Sequence, residues 1–141
     1  MRRAFQLVVA AALLGACGGG AGPTDGGESF PDAPLLSLSS RSGGLHLALR
    51  SSPQPPVRGK DAVRLTFTDD GGAPVDGLDV AVQPWMPAMG HGSSVVPTVT
   101  ARGQGEYDLS NLYLAMPGTW ELRMTLSGTA SDDATPSLQI P

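Results

Sequence analysis

The chain has 141 residues, of which 5% are aromatic and 16% are charged, and its formal net charge is −4. This length fits one modest domain with short additional segments. Because the chain is acidic and has a single lysine, Lys60, it lacks the basic patch that neutralises phosphates, and we exclude nucleic acid as a partner.

The N-terminus has the layout of a secretory signal peptide over residues 1–16. Arg2 and Arg3 precede an apolar run at residues 7–14, which is too short to span a bilayer as a mature helix. The sequence LGAC that follows resembles the lipobox of bacterial lipoproteins, in which the signal is cut before the cysteine and the sulfur takes a diacylglycerol. Cys17 is the only cysteine of the chain, so we predict it as the lipidation site.

Lipidation at Cys17 would remove the only free thiol, so it excludes a disulfide and any cysteine-based catalytic or metal site. Cleavage would also remove two arginines and no acids, which moves the net charge from −4 to −6. Two or three acyl chains attach a protein firmly to a membrane, at about 0.8 kcal/mol per buried CH₂. Since Gly18 resembles an outer-membrane sorting signal, we predict a lipid-anchored protein of the cell envelope, at the outer membrane and facing the periplasm.

Residues 17–43 are rich in Gly, Ser, Pro and Asp. Such a segment cannot bury enough apolar surface to offset its chain entropy, so we predict a flexible tether. Within it, Leu35, Leu36 and Leu38 are candidates for a short edge strand.

Residues 44–141 show the period-two alternation of half-buried strands, as in LHLALR, AVRLTFTD and TWELRMTL. The 19 glycines and 13 prolines of the chain supply turns between these segments. About seven short strands at regular spacing predict an all-β fold, an immunoglobulin-like antiparallel β-sandwich. The apolar phase slips between Leu109 and Leu112, which predicts a β-bulge or a crossover between sheets at Ser110–Asn111.

Catalysis has little support in the sequence. His46 and His91 are the only histidines, and Ser93 and Ser94 beside His91 do not make a triad, because a nucleophile needs a base and an orienting group. There is no phosphate-cradling Gly-Lys loop and no zinc-protease helix. We therefore predict that the protein is not an enzyme.

The stretch WMPAMGHGSS, residues 85–94, carries two methionines and a histidine but no acid. Met124 alternates in phase with core residues, whereas Met86 and Met89 lie in this predicted loop and Met116 precedes the turn at residues 117–118. If the strand at residues 78–85 runs upward, counting strands brings both turns to one end of the sandwich. His46 then falls near the opposite end, on a polar face.

Thioethers are soft, uncharged ligands that select Cu(I), and imidazole serves either oxidation state of copper. Calcium and magnesium need oxygen ligands that this loop lacks, and zinc prefers thiolate or more imidazole. The four residues that would form a copper site are Met86, Met89, His91 and Met116. The alternative is that these methionines only close the end of the core, because methionine fills irregular gaps and contacts aromatic rings favourably.

Two blocks of the sequence resemble the YtkA-like family of small exported bacterial proteins, which is related to FixH-type domains. They are WMPAMGHG at residues 85–92 and GEYDLSNLYLAMPGTWELRMTL at residues 105–126, and the resemblance extends over about residues 44–140. Leu114 departs from the family, where an aromatic residue is frequent. The resemblance implies an immunoglobulin-like sandwich outside the cytoplasm, and copper handling or assembly of copper-containing oxidases in some relatives.

Together these observations predict an exported lipoprotein that binds Cu(I), or delivers it to an acceptor, through the cluster Met86, Met89, His91 and Met116. The context would be copper homeostasis or oxidase assembly. The alternative is a non-metal interaction module tethered to the envelope, which presents its loops or an edge strand to a membrane or envelope partner.

Overall fold

A computed structural model of the protein describes residues 27–141. This part of the chain forms strands joined by turns, and no helix in it is long and apolar enough to cross a membrane. The strands are β1 (Leu36–Ser39), β2 (Leu45–Ser52), β3 (Gly59–Asp69), β4 (Leu78–Met86), β5 (His91–Gly92), β6 (Thr98–Gly103), β7 (Glu106–Leu114), β8 (Gly118–Gly128), β9 (Asp132–Ala134) and β10 (Ser137–Ile140).

The strands form two antiparallel sheets that pack face to face. The first sheet has the order β1-β2-β3-β7-β6, and the second has the order β10-β8-β4-β5, with β9 also paired to β8. This arrangement confirms the predicted immunoglobulin-like β-sandwich. The strands beyond the predicted seven are β1, β5 and β9, which have only two to four residues each.

The core lies between the inner faces of the sheets, as the alternation predicts. Leu47, Leu49 and Leu65 are at most 1% exposed, and so are Trp120 and Leu122. At the β7 position where the apolar phase slips, Leu109 pairs with Val63 and Leu112 pairs with Asp61, so two residues oppose one. Asn111 has φ 59°, and the predicted bulge is therefore confirmed.

The folded part begins upstream of residue 44, inside the segment predicted to be a tether. Leu36 and Leu38 lie in β1, which pairs with β2, and the amide of Leu35 donates to Leu49 O at 2.7 Å. Leu36 and Leu38 therefore lie in the edge strand considered from the sequence, and Leu35 directly precedes it. The predicted signal peptide, residues 1–16, and Cys17 lie outside the described residues.

The sandwich has two ends, which we name by the strands that reach them. At the upper end, β2, β4 and β7 finish and β3 and β8 begin, and at the lower end the directions are reversed. The upper-end connections are the loops at residues 53–58, 93–97 and 115–117 and the turn at residues 87–90. The turn at residues 87–90, which leads to His91, and the loop that contains Met116 therefore lie at the same end, as strand counting predicts.

Candidate metal site at the upper end of the sandwich

Met86 is the last residue of β4 and lies in the core, with 5% of its surface exposed. The sequence interpretation placed it in the loop, but it continues the inward face of Leu78 and Val82, which alternate at even positions along β4. Its carbonyl accepts the amides of Met89 at 3.1 Å and Gly90 at 3.0 Å, and these bonds close the turn. Gly90 has φ 67°, a left-handed conformation that glycine adopts without strain.

His91 begins β5 directly opposite Met86 in the β4–β5 pair. Residues opposite each other in an antiparallel pair project on the same face of the sheet, so the imidazole and the Met86 thioether share the inner face. The ring is exposed, and its Nδ1 lies 3.2 Å from Gly92 O. When Nδ1 carries the proton and donates to this carbonyl, Nε2 is left unprotonated and able to bind a metal ion.

Glycine at position 92 allows β5 to lie close to β4. A β-carbon built there would meet Pro84 O at 2.8 Å, which is closer than van der Waals contact permits. The small residue therefore sets how tightly the His91 strand packs on Met86.

Met116 reaches the same end from the other turn and is half-buried against the core. The indole Nε1 of Trp120 donates to Met116 O at 2.9 Å, which fixes the loop before β8. A β-carbon built at Gly118 would lie 2.8 Å from Met86 Cε, so the Met86 methyl group fills the space that this glycine leaves. The two turns therefore meet through Met86.

His91 and Met116 line one open cavity of about 360 Å³. Tyr113 and Trp120 form its aromatic walls, and the remaining lining is Gly92, Ser93, Ser94 and Ala115. Met89 is not among the lining residues and is 57% exposed on the turn. Met86 is not among the lining residues either, since it lies in the core at 5% exposure. The cavity therefore joins His91 and Met116, and Met86 adjoins them through its pairing with His91.

The donors at this end are neutral and soft. Among residues 27–141, no group of three or more His, Cys, Asp or Glu side chains is arranged to hold a metal ion. Two thioethers and one imidazole fit Cu(I) and do not fit calcium, magnesium or zinc.

His46, the other histidine, lies at the lower end on the outer face of its sheet, as strand counting predicts. Its Nε2 is 2.9 Å from Asp70 Oδ1 and its Nδ1 is 3.2 Å from Ser39 Oγ. Both ring nitrogens have protein partners, and the residue is remote from the methionines.

Asp61 is a buried polar group near the upper end, and the sequence interpretation missed it. It is 2% exposed, and its Oδ1 accepts the amide of Val57 at 3.1 Å. Its Oδ2 has no hydrogen-bond partner among the protein atoms, and the same is true of Ser51 Oγ. Burial raises the pKa of Asp61, and the bond from Val57 opposes that change. The signal was the alternation of Val63, Leu65 and Phe67, which extended backwards reaches position 61.

The sequence model of a family described as YtkA-like matches residues 40–125. No curated protein sequence matches the chain. Among solved structures, a DUF4426 family protein from Pseudomonas aeruginosa is 13% identical, with a TM-score of 0.49 over 72% of this chain and 92% of that one. The Lin-41 filamin domain is 18% identical, with a TM-score of 0.44 over 80% of this chain and 98% of that one.

The family match spans most of the folded part, from before β2 into β8, and includes both turns of the upper end. It covers more than half of the 141 residues. The chain belongs to the YtkA-like family.

Proposed function

We propose that the protein is an exported lipoprotein that binds Cu(I) at the upper end of the sandwich and delivers it to an acceptor in the envelope. The observation that carries this proposal is the meeting of two separate turns, which brings His91 and Met116 to one cavity with Met86 opposite His91. Soft, neutral donors from distant parts of the chain are thereby placed together. The role would lie in copper homeostasis or in assembly of copper-containing oxidases.

The chemistry of such a site is ligand exchange rather than catalysis. Neutral thioethers and imidazole bind a monovalent ion without neutralising it, so the site holds Cu(I) less tightly than thiolates would. The cavity is open, and His91 is exposed at its rim. An acceptor with a thiolate or with more imidazoles can approach and take the ion stepwise. We propose no catalytic role for any residue.

A second candidate, a non-metal interaction module, is favoured by the burial of Met86. A methionine that is 5% exposed and fills the space beside Gly118 has a packing role whether or not it also binds metal. In this case His91 and Met116 would only form the surface of a docking loop.

A competition titration with a Cu(I) chelator under anaerobic conditions separates the two candidates. We expect His91→Ala and Met116→Leu each to weaken Cu(I) binding about tenfold or more, equivalent to about 1.4 kcal/mol. Met124→Leu is the matched control, because Met124 is a core thioether whose strand partners are Val82 and Ala134, away from the upper end. Equal affinities in all variants would leave only the interaction module.

Membrane attachment is tested separately from copper. We expect the mature protein to begin at Cys17 and to carry the added mass of a diacylglycerol by intact-mass analysis. Cys17→Ala should shift the protein from the membrane fraction to the soluble periplasmic fraction. An unmodified N-terminus in the wild-type protein would exclude the lipid anchor.

A further inference from the structure

Four large apolar side chains are exposed among residues 27–141, and all four lie at the upper end. They are Val57 at 40%, Met89 at 57%, Val96 at 76% and Tyr113 at 46% exposure. The first three project from three separate connections, and Tyr113 is the penultimate residue of β7. Single exposed apolar residues need no explanation, but their collection at one end indicates an interaction surface.

Most of the acids lie away from the upper-end connections. The four upper-end connections contain no acidic residue, whereas Arg58 and Lys60 are exposed there. Lys60 pairs with Tyr113 across β3 and β7, so the two side chains share one outer face. The acids at or beside the lower-end loops are Asp69, Asp70, Asp76, Asp79, Glu106, Asp132 and Asp133.

We propose that the upper end is a docking surface for an anionic lipid bilayer. The apolar side chains would enter the boundary between headgroups and acyl chains, and Arg58 and Lys60 would pair with lipid phosphates. Each cation near an anionic bilayer favours binding by severalfold. Tyrosine and lysine suit this position, because each has an apolar body and a polar tip that stays hydrated.

The negative net charge of the chain does not oppose docking in this orientation. β3 runs between the two ends over 11 residues, which corresponds to about 36 Å at about 3.3 Å per residue. The lower-end acids would therefore lie several Debye lengths from the bilayer, since that length is about 8 Å at physiological salt. Nearer the upper end, Glu121 is paired with Arg123 at 2.9 Å. Nearer the middle, Asp108 is paired with Arg64 at 2.7 Å and with Arg102 at 2.6 Å.

The arrangement favours a lipid surface over a protein groove. Val57, Met89 and Val96 project from separate connections. Separate apolar tips can enter a deformable headgroup layer together, whereas a protein partner would need a matching pocket for each of them. The inference is independent of copper, because neither Val57 nor Val96 is a candidate ligand.

Sedimentation with vesicles tests this surface in the absence of copper. Every strand lies between residues 36 and 140, so a chain that starts at residue 17 and carries Cys17→Ser keeps the whole sandwich without acyl chains. We expect it to sediment with vesicles of phosphatidylglycerol and phosphatidylcholine but not with phosphatidylcholine alone. Binding should weaken as salt is raised, because salt screens the charged contacts.

Variants at the two ends test which end of the sandwich contacts the bilayer. Lys60→Glu should weaken binding about fivefold or more, and Val96→Asp about tenfold, because it removes an inserted apolar group and adds an acid. Arg41→Glu is the matched control, since it makes the same change of charge at the lower end, where the Arg41 side chain is 81% exposed. Docking by the upper end is overturned if no form sediments with anionic vesicles, or if Lys60→Glu and Arg41→Glu weaken binding equally.

Discussion

The loops of the lower end are bonded to one another, whereas those of the upper end are bonded mainly within themselves. At the lower end, Asp76 connects three loops: its Oδ1 accepts the amide of Gly105 at 2.8 Å, and its carbonyl accepts Thr129 Oγ1 at 2.6 Å. The hydroxyl of Tyr107 donates to Val75 O at 2.9 Å and accepts the amide of Leu78 at 3.0 Å. These bonds join residues that are far apart in the sequence.

At the upper end, most hydrogen bonds of side chains join residues that are close together in the sequence. Trp120 reaches Met116 O, Asp61 reaches Val57 N and His91 reaches Gly92 O, each within four residues. Gln54 and Thr119 are exceptions, because the Gln54 amide donates to Ala33 O at 3.0 Å and Thr119 Oγ1 donates to Gln139 Oε1 at 2.8 Å. Each upper loop is thus shaped by its own residues and has few bonds to its neighbours.

This difference assigns separate tasks to the two ends. Loops that are bonded together open only when several bonds break, so the lower end contributes to global stability. Loops that are bonded internally can open locally at small cost, which is what ligand exchange and docking require. We therefore expect substitutions at the lower end to act on unfolding and substitutions at the upper end to act on binding.

The largest expected difference in stability between the two ends comes from substituting two glycines that have similar backbone angles. Gly105 has φ 75°, and a β-carbon there would lie 2.4 Å from Phe67 O, whereas Gly90 has φ 67° and no atom within 4 Å of that position. Gly105→Ala should cost about 3 kcal/mol of unfolding free energy, from strain and collision. Gly90→Ala should cost about 1 kcal/mol, from the left-handed conformation alone. Urea unfolding of both variants measures the difference, and equal losses would contradict it.

Tyr107→Phe tests the bonds of the lower end without changing the packing of the ring. The ring packs edge-on against Phe67 at 5.7 Å between centroids, and phenylalanine preserves this contact. Loss of the hydroxyl leaves the amide of Leu78 without its partner, which should cost about 1–3 kcal/mol. Thermal unfolding reports the loss, and the chelator titration should show unchanged Cu(I) affinity. A weaker affinity would show that the ends are coupled.

The fold was largely predictable because alternation is repeated along every long strand. Leu47, Leu49 and Leu65 each lie two positions after another buried apolar residue, so no single residue decides which face of the strand is buried. The phase slip around Ser110 and Asn111 located the bulge, because inserting one residue reverses the faces of all that follow. Counting strands then placed both turns at one end.

The details of the site were less predictable, because they depend on turn geometry rather than on periodicity. The sequence predicts Met86 in the loop because Trp85 and Pro87 obscure where the strand ends. The two-residue strand β5 is too short to show a period, so the pairing of His91 with Met86 has no signal in the sequence. Met89 is 57% exposed on a turn in which Gly90 has φ 67°, a conformation that the sequence allows but does not require.

Asp61→Asn tests a polar group that is buried at some energetic cost. Burial raises the pKa of Asp61 above 3.8, so the neutral carboxyl is favoured in the folded state. Its contribution to stability is present below the unfolded pKa and is lost as pH rises through the folded pKa. Asparagine keeps the acceptor for Val57 but does not ionise. Unfolding free energies from acidic to neutral pH should fall for the wild type relative to the variant. A constant difference would show that Asp61 does not titrate in this range.

Met86→Leu, which has the smallest expected effect on stability, distinguishes a packing role of Met86 from a role in metal binding. Met86→Leu conserves side-chain volume and should cost less than about 1.5 kcal/mol, yet it removes the sulfur on the His91 face. Met89→Leu is the matched comparison, because it removes a sulfur that is 57% exposed on the turn, whereas Met86 is 5% exposed and pairs with His91.

We expect Met86→Leu to weaken Cu(I) binding severalfold in the chelator titration and Met89→Leu to change it less than about twofold. The physical reason is position, since a thioether opposite His91 can share an ion with that ring, whereas one on the outside of the turn would have to rearrange the turn first. If Met89→Leu has the larger effect, the ion binds on the outer side of the turn, and the cavity between His91 and Met116 is not its site.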